Sequence, residues 1–193
     1  MTFERDPQKL FPHDRLLGAM VIRFIPEFVT PNVVTWSRFL LTPFVLYLLY
    51  IGDYAAGVPL FVFAAFTDAV DGSMARLRKQ ITEWGTLFDP IADKMLIGSV
   101  ILLVVIRHMN PFFGITIVLL EVAIVCGGIM RRRRGFPVMA NIVGKIKMFL
   151  QFLGVTFLLV AVWSGVDLFI PFSIGTLSLA IAFAVASLLT YGL

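Results

Sequence analysis

Six apolar stretches fill most of this 193-residue chain, each close to the ~20 residues that an α-helix needs to cross the hydrocarbon core of a bilayer. They run over about residues 31–51, 54–76, 83–106, from 111 to the arginine run at 131–134, 141–163 and 166–190. With 59% hydrophobic and 15% charged residues, and a mean hydropathy of +0.93, the chain is not an ordinary soluble domain. The links between stretches are short, which favours neighbouring antiparallel helices in one bundle. The expected architecture is all-α: a polytopic integral membrane protein, with a bundle of six transmembrane helices over residues 31–193. A juxtamembrane amphipathic segment precedes it within residues 1–30.

In that leading segment Leu16, Leu17, Met20, Val21, Phe24 and Ile25 share one helical stripe, and Asp14, Arg15 and Arg23 fall elsewhere. Such a helix lies in the membrane interface or packs on protein. The opening sequence MTFERDPQKLFPHDR is polar and has no early apolar core, so no cleavable signal peptide is expected. Cys126 is the only cysteine, which rules out a disulfide framework. Pro31 suits the first turn of the first span, and Pro43 should kink its interior.

The net charge of +4 is distributed unevenly. Arg5, Lys9, Arg15 and Arg23 precede the first span, Arg76, Arg78 and Lys79 lie between the second and third, and four arginines lie between the fourth and fifth. The opposite links, near Asp53, Met109 and Gly165, carry Arg107 as their exception. The positive-inside rule then places both termini and the second-to-third link on the cytoplasmic side of a cell membrane. In a chain this apolar the basic excess points to topology and anionic headgroups. No basic motif is interleaved with base-stacking aromatics, so nucleic acid is not an expected partner.

The second-to-third link is flanked by the sequence DAVDGSMARLRKQITEWGTLFDPIAD, residues 68–93. Asp68 and Asp71 lie three apart, and Asp89 and Asp93 four apart. On a helix these spacings leave roughly 60° and 40° between side chains, so each pair shares a face. Gly72 and Ala75 continue the first face with almost no side chain, leaving room for a flat ligand against backbone. A turn between the two helices would bring both pairs to one membrane surface. Ionised carboxylates in apolar surroundings are costly unless paired or bound to metal. An all-oxygen donor set suits Mg²⁺, Mn²⁺ or Ca²⁺ rather than zinc. The bland alternative is a set of interfacial caps and partners for nearby arginines. No Ser/His/Asp arrangement, Walker A motif or zinc pattern is present.

The pattern Asp68-x2-Asp71-Gly72-x2-Ala75-Arg76-x8-Gly85-x3-Asp89-x3-Asp93 resembles the signature of the CDP-alcohol phosphotransferases, with all eight fixed residues in place. At average usage, chance agreement is on the order of 10⁻¹⁰ per starting point. The resemblance implies transfer of a phosphatidyl group from CDP-diacylglycerol to an alcohol, with release of CMP. Asp68, Asp71 and Asp89 would hold one metal ion, and Asp68, Asp89 and Asp93 a second, as Mg²⁺ or Mn²⁺. Asp93 would also accept the proton of the attacking hydroxyl. Gly72, Ala75, Arg76, Thr82 and Gly85 would form the CDP-lipid site. Asn32, Thr35 and Arg38, spaced by three, match a family pattern that helps hold the CDP group. Read from the residues alone, these three are a cap and a snorkelling arginine.

The run Asp89-Pro90-Ile91-Ala92-Asp93-Lys94 and the segment GKIKMFLQ are most similar to family members that use glycerol 3-phosphate. Lys145, Lys147, Arg131 and Arg134 are the candidate acceptor-binding cations. Those relatives commonly carry an Arg-Glu pair where this chain has Leu120-Glu121. The alternatives are an inositol-phosphate acceptor, or a lipid acceptor such as phosphatidylglycerol. A different class, a cation transporter or channel using the acidic cluster, also stays open. The family is usually dimeric, so a homodimer among membrane lipids is expected.

Overall fold

The computed structural model describes residues 18–26, 29–78, 80, 82–133 and 142–191. Among these residues every regular element is helical, and the chain is an all-α polytopic membrane protein. The long helices are α1 (Pro31–Ile51), α2 (Tyr54–Leu77), α3 (Glu83–Val100), α4 (Pro111–Arg133), α5 (Ile142–Ser164) and α6 (Phe169–Tyr191). Five of them, all but α3, are long and apolar enough to cross a membrane. The exception has a plain cause: Glu83, Asp89, Asp93 and Lys94 all lie in α3. That helix continues through a π-helical stretch, Ile101–Val105, and a last turn, Ile106–His108, ending close to the limit expected for the third apolar stretch.

Local chemistry sets the helix ends. Gly52 adopts φ +84° just after α1, a conformation that costs glycine nothing, and Asp53 then accepts a hydrogen bond from the Ala56 N–H at 3.1 Å to cap α2. Asn110 Oδ1 accepts from the Phe112 N–H at 3.0 Å, with Pro111 at the first helical position of α4. Pro43 lies inside α1, and the helix runs through it to Ile51.

The described residues fall into two compact units. The first holds those up to Tyr47 together with Pro59–Leu96. Its apolar core includes Ile22, Val70 and Met74, with Val21, Ile25, Val34 and Leu77 packed against them. The leading segment departs from the simple stripe expected of it. Ile22 turns inward while Met20 and Phe24 are exposed, because a 3-10 turn at Ile22–Phe24 shifts the side-chain phase from 3.6 to three residues per turn. Leu16 and Leu17 lie outside the described residues.

Arg78, at the end of α2, fastens this segment. Its guanidinium donates to the carbonyls of Ile25 (2.6 Å), Val29 (2.9 Å) and Pro26 (3.3 Å). Arg78→Ala is expected to loosen residues 20–26 and 29–30 by roughly 1.5–3 kcal/mol, the worth of hydrogen bonds from a charged donor. Faster amide exchange at these positions, with α5 and α6 unchanged, is the expected readout.

The second unit holds Leu48–Val58 and the described residues from Ile97 onward. Here the π-helical stretch buries Ile101, Val104 and Val105. α5 and α6 approach closely at Gly154, where a Cβ would stand 2.6 Å from Leu177 Cγ and 2.7 Å from Thr176 Oγ1. The Ser173 hydroxyl uses that closeness to donate to the Gly154 carbonyl at 2.8 Å. Small residues at a helix crossing are how membrane helices gain packing when hydrophobic burial offers little difference from lipid.

Candidate active site

The first unit gathers Asp68, Asp71 and Asp89 around one face of α1. Thr35 and Arg38 lie three apart on that helix and point the same way. Both are buried, Arg38 completely at 0% exposure. The Arg38 fork divides between two carboxylates of α2: NH1 donates to Asp68 Oδ1 at 2.8 Å and NH2 to Asp71 Oδ2 at 2.7 Å. Its Nε reaches Thr67 Oγ1 at 3.4 Å. Thr35 Oγ1 lies 2.6 Å from Asp89 Oδ1 on α3, 3.3 Å from Asp71 Oδ2 and 3.3 Å from the Pro31 carbonyl. One hydroxyl thus stands between carboxylates of two different helices. Spacing pairs the acids within each helix; the structure joins Asp68 and Asp71 of α2 to Asp89 of α3 through α1.

Burial differs within the set. Asp71 is 2% exposed and Asp93 is also buried, whereas the Asp68 side chain is 44% exposed. The site therefore has a closed floor and an open edge at Asp68. One positive charge is shared between Asp68 and Asp71, and Asp89 takes its short hydrogen bond from a neutral hydroxyl.

The expected nucleotide-site residues assemble at the start of α3. Thr82 Oγ1 accepts from the Gly85 N–H at 2.9 Å, capping the helix, and the same hydroxyl lies 2.9 Å from Asn32 Oδ1. A Cβ at Gly85 would stand 3.1 Å from Asn32 Oδ1, 3.1 Å from Thr82 Oγ1 and 3.6 Å from Asp89 Oδ2. Glycine is what lets these three polar groups meet. On α2, Gly72 is flanked by the Arg76 guanidinium, whose nitrogens are 3.7 and 3.8 Å from where a Cβ would be. That is ordinary contact distance, so Gly72 provides a shallow floor rather than a forced approach.

Among the described residues no group of three or more carboxylate, imidazole or thiol side chains is placed to hold a metal ion. The donor chemistry nevertheless fits a hard divalent ion. The donors are oxygen only, carried by aspartates of two helices, and the contacts above use one oxygen each of Asp68, Asp71 and Asp89.

The acceptor candidates fare differently. In the second unit Lys147 is 2% exposed and bonds to Glu121 Oε1, which also accepts from Gln151 Nε2 at 2.9 Å. Glu121 Oε2 is buried and has no hydrogen-bond partner among the described residues. The Lys147 ammonium is thus engaged inside the protein, while Lys145 on the same helix is exposed. Arg131 ends the apolar part of α4, and Arg134 lies outside the described residues.

Sequence reasoning gave Arg38 a part in holding the CDP group without foreseeing its ion pairs with Asp68 and Asp71, and it did not foresee the capping bond that Thr82 makes. Signals for both were present: an arginine three residues from Thr35 inside a span, and a threonine three residues before Gly85 at a helix start. It also missed Gln151, for which a lone polar residue in α5 was the signal.

Comparison with known proteins places this geometry in context. The CDP-alcohol phosphatidyltransferase family model matches residues 28–190. The chain is 31% identical to a CDP-diacylglycerol–glycerol-3-phosphate 3-phosphatidyltransferase of Bacillus subtilis, over 83% of this chain and 91% of that protein. It is 43% identical to the enzyme of that name from Pseudomonas fluorescens, over 42% of this chain and 43% of that protein. A probable cardiolipin synthase (CMP-forming) of Drosophila melanogaster is 37% identical over 46% of this chain and 28% of its own length.

Proposed function

The chain belongs to the CDP-alcohol phosphatidyltransferase family, and from that premise we propose that it transfers the phosphatidyl group of CDP-diacylglycerol to glycerol 3-phosphate, releasing CMP. It is a membrane transferase of phospholipid biosynthesis. The single observation that carries the site assignment is the convergence of Asp71 and Asp89, from two helices, on Thr35. Family membership displaces the transporter or channel reading of the same acids.

The residues divide the work. Asp68, Asp71, Asp89 and Asp93 would hold two Mg²⁺ or Mn²⁺ ions. When bound, such ions offset diphosphate charge and stabilise the leaving CMP. Asn32, Thr35, Arg76, Thr82 and Gly85 would surround the CDP group, with Gly72 and Ala75 as its floor. Asp93, one turn beyond Asp89 and shielded from bulk water, would accept the proton of the attacking hydroxyl as attack proceeds. Alignment of the two reactants in a site closed on one side supplies much of the remaining rate. The lipid tails stay in the bilayer. We read α3, with its π-helical extension to His108, as a sixth span. The basic links then put the acid cluster and both termini on the cytoplasmic side. The leading segment up to residue 30 and the helical region 31–193 are proposed as the two parts of the chain, and a homodimer as its assembly.

A second reading has one observation in its favour. Lys147 is engaged by Glu121, which removes one cation from the set proposed to bind a soluble phosphate. A lipid acceptor such as phosphatidylglycerol needs fewer cations. The deciding experiment is CMP release by purified protein from CDP-diacylglycerol, against glycerol 3-phosphate, inositol phosphate and phosphatidylglycerol. Glycerol 3-phosphate is expected to be the best acceptor, with activity lost on chelation and restored by Mg²⁺ or Mn²⁺. Turnover with phosphatidylglycerol alone replaces the first reading by the second, and undiminished CMP release after exhaustive chelation removes the metal from both.

A further inference from the structure

We propose that Arg38, with Thr35, is the positioning element of the acid cluster. It holds one oxygen of each of Asp68, Asp71 and Asp89, and so aims the other oxygen of each carboxylate at the divalent ion. This inference rests on the metal-binding reading above. It departs from the expected role of these α1 residues as nucleotide contacts.

Three observations carry it. First, Arg38 is completely buried, and its fork is divided, one nitrogen to Asp68 Oδ1 and the other to Asp71 Oδ2. A guanidinium is planar and presents its donors at fixed angles, so bonding two carboxylates at once fixes where both lie. Second, Thr35, one turn earlier on the same helix, reaches Asp71 Oδ2 and Asp89 Oδ1. The hydroxyl has one proton, and its short contact gives that proton to Asp89, so α3 is tied to the same reference face as α2. Third, Arg38 is itself anchored. Its Nε reaches Thr67 Oγ1, and Thr67 donates to the Ala64 carbonyl at 2.6 Å. An anchored donor that grips one oxygen of a carboxylate is the arrangement by which outer-shell partners orient metal ligands.

A lysine at position 38 separates geometry from charge. It keeps the positive charge but has one point of attachment in place of a fork. If Arg38 serves only to balance negative charge, Arg38→Lys leaves cation affinity unchanged. If the fork positions the ligands, Arg38→Lys weakens affinity although the charge is the same. Thr35→Val keeps the shape of the side chain and removes the hydroxyl between Asp71 and Asp89.

The test is Mn²⁺ binding, read by electron paramagnetic resonance on full-length protein in nanodiscs without substrate. Wild type, Arg38→Lys, Arg38→Gln and Thr35→Val are compared, and folding is checked by far-ultraviolet circular dichroism. Arg38→Lys is expected to weaken Mn²⁺ binding about 10- to 100-fold, and Thr35→Val to weaken it in the same direction. The concentration of metal giving half-maximal CMP release should rise in parallel. Mn²⁺ affinity within twofold of wild type in folded Arg38→Lys, or tighter binding in Arg38→Gln, overturns the inference. If Arg38→Lys does not fold, Thr35→Val decides alone: unchanged affinity there also overturns it. A wild-type protein that binds no Mn²⁺ has a different meaning, since it removes the metal reading itself.

Discussion

Asp93→Asn is expected to lower turnover by about 10²–10⁴-fold, the range for loss of a general base, while CDP-diacylglycerol binding largely survives. The asparagine has nearly the same shape, so the buried position on α3 keeps its packing. What is lost is a carboxylate able to receive a proton, together with one ligand of the second proposed ion. Asp68, Asp71 and Asp89 remain with their contacts to Arg38 and Thr35, so the first ion keeps its donors. Asp71→Asn should behave otherwise. Arg38 donates to Asp71 Oδ2, which lies 3.3 Å from Thr35 Oγ1, and weakening that junction should impair CDP-lipid binding as well as turnover. The two variants are compared by kcat for CMP release and by equilibrium binding of CDP-diacylglycerol. Near-normal turnover in Asp93→Asn would refute its assignment as the base.

Lys147→Ala is expected to destabilise the second unit by about 3–5 kcal/mol, the cost of leaving a buried charge without its partner. Among the described residues Glu121 would keep the Gln151 hydrogen bond, and its Oε2 has no partner there. The pair is well buried, with side-chain exposures of 3% and 18%, so solvent screening offers little relief. Replacing both residues with apolar ones should recover most of the loss, because a buried ion pair often contributes no more than the hydrophobic contact that replaces it. Unfolding in a denaturing detergent titration measures both effects. If Lys147 also binds acceptor phosphate, the stable double variant should show a raised KM for glycerol 3-phosphate and an unchanged KM for CDP-diacylglycerol. An unchanged KM for both confines Lys147 to packing.

These results bear on what can be read from a sequence of this kind. The acid pairs were legible because their spacing is a local property of a helix, and Asp68 and Asp71 need no partner to share a face. The convergence of Asp71 and Asp89 followed from the short link between α2 and α3. The part played by Arg38 was not legible in the same way. Periodicity placed it beside Thr35, but what it touches depends on how α1 meets α2, thirty residues on. Glu121 and Lys147 pose the same difficulty, since both sit in apolar runs where either would pass as a snorkelling charge. Arg78 read as a topological marker, yet it also binds carbonyls of the leading segment. In the third apolar stretch the acids of α3 keep it outside the five helices that qualify as spans by apolar character.

The burial of Arg38 has a consequence for how the protein is made. The counter-charges of α1 lie on α2, at Asp68 and Asp71, so they emerge from the ribosome well after it. On insertion scales a lone arginine or aspartate costs about 2.5–3.5 kcal/mol at the centre of a span and less toward its end, where Arg38, Asp68 and Asp71 lie. Both helices are long and apolar enough to cross a membrane, yet each carries a charge whose partner lies on the other. Leaving the translocon together, as a hairpin, α1 and α2 present lipid with a neutralised interior. The contacts that order the acid cluster would then be made during biogenesis, before α3 arrives to meet Thr35.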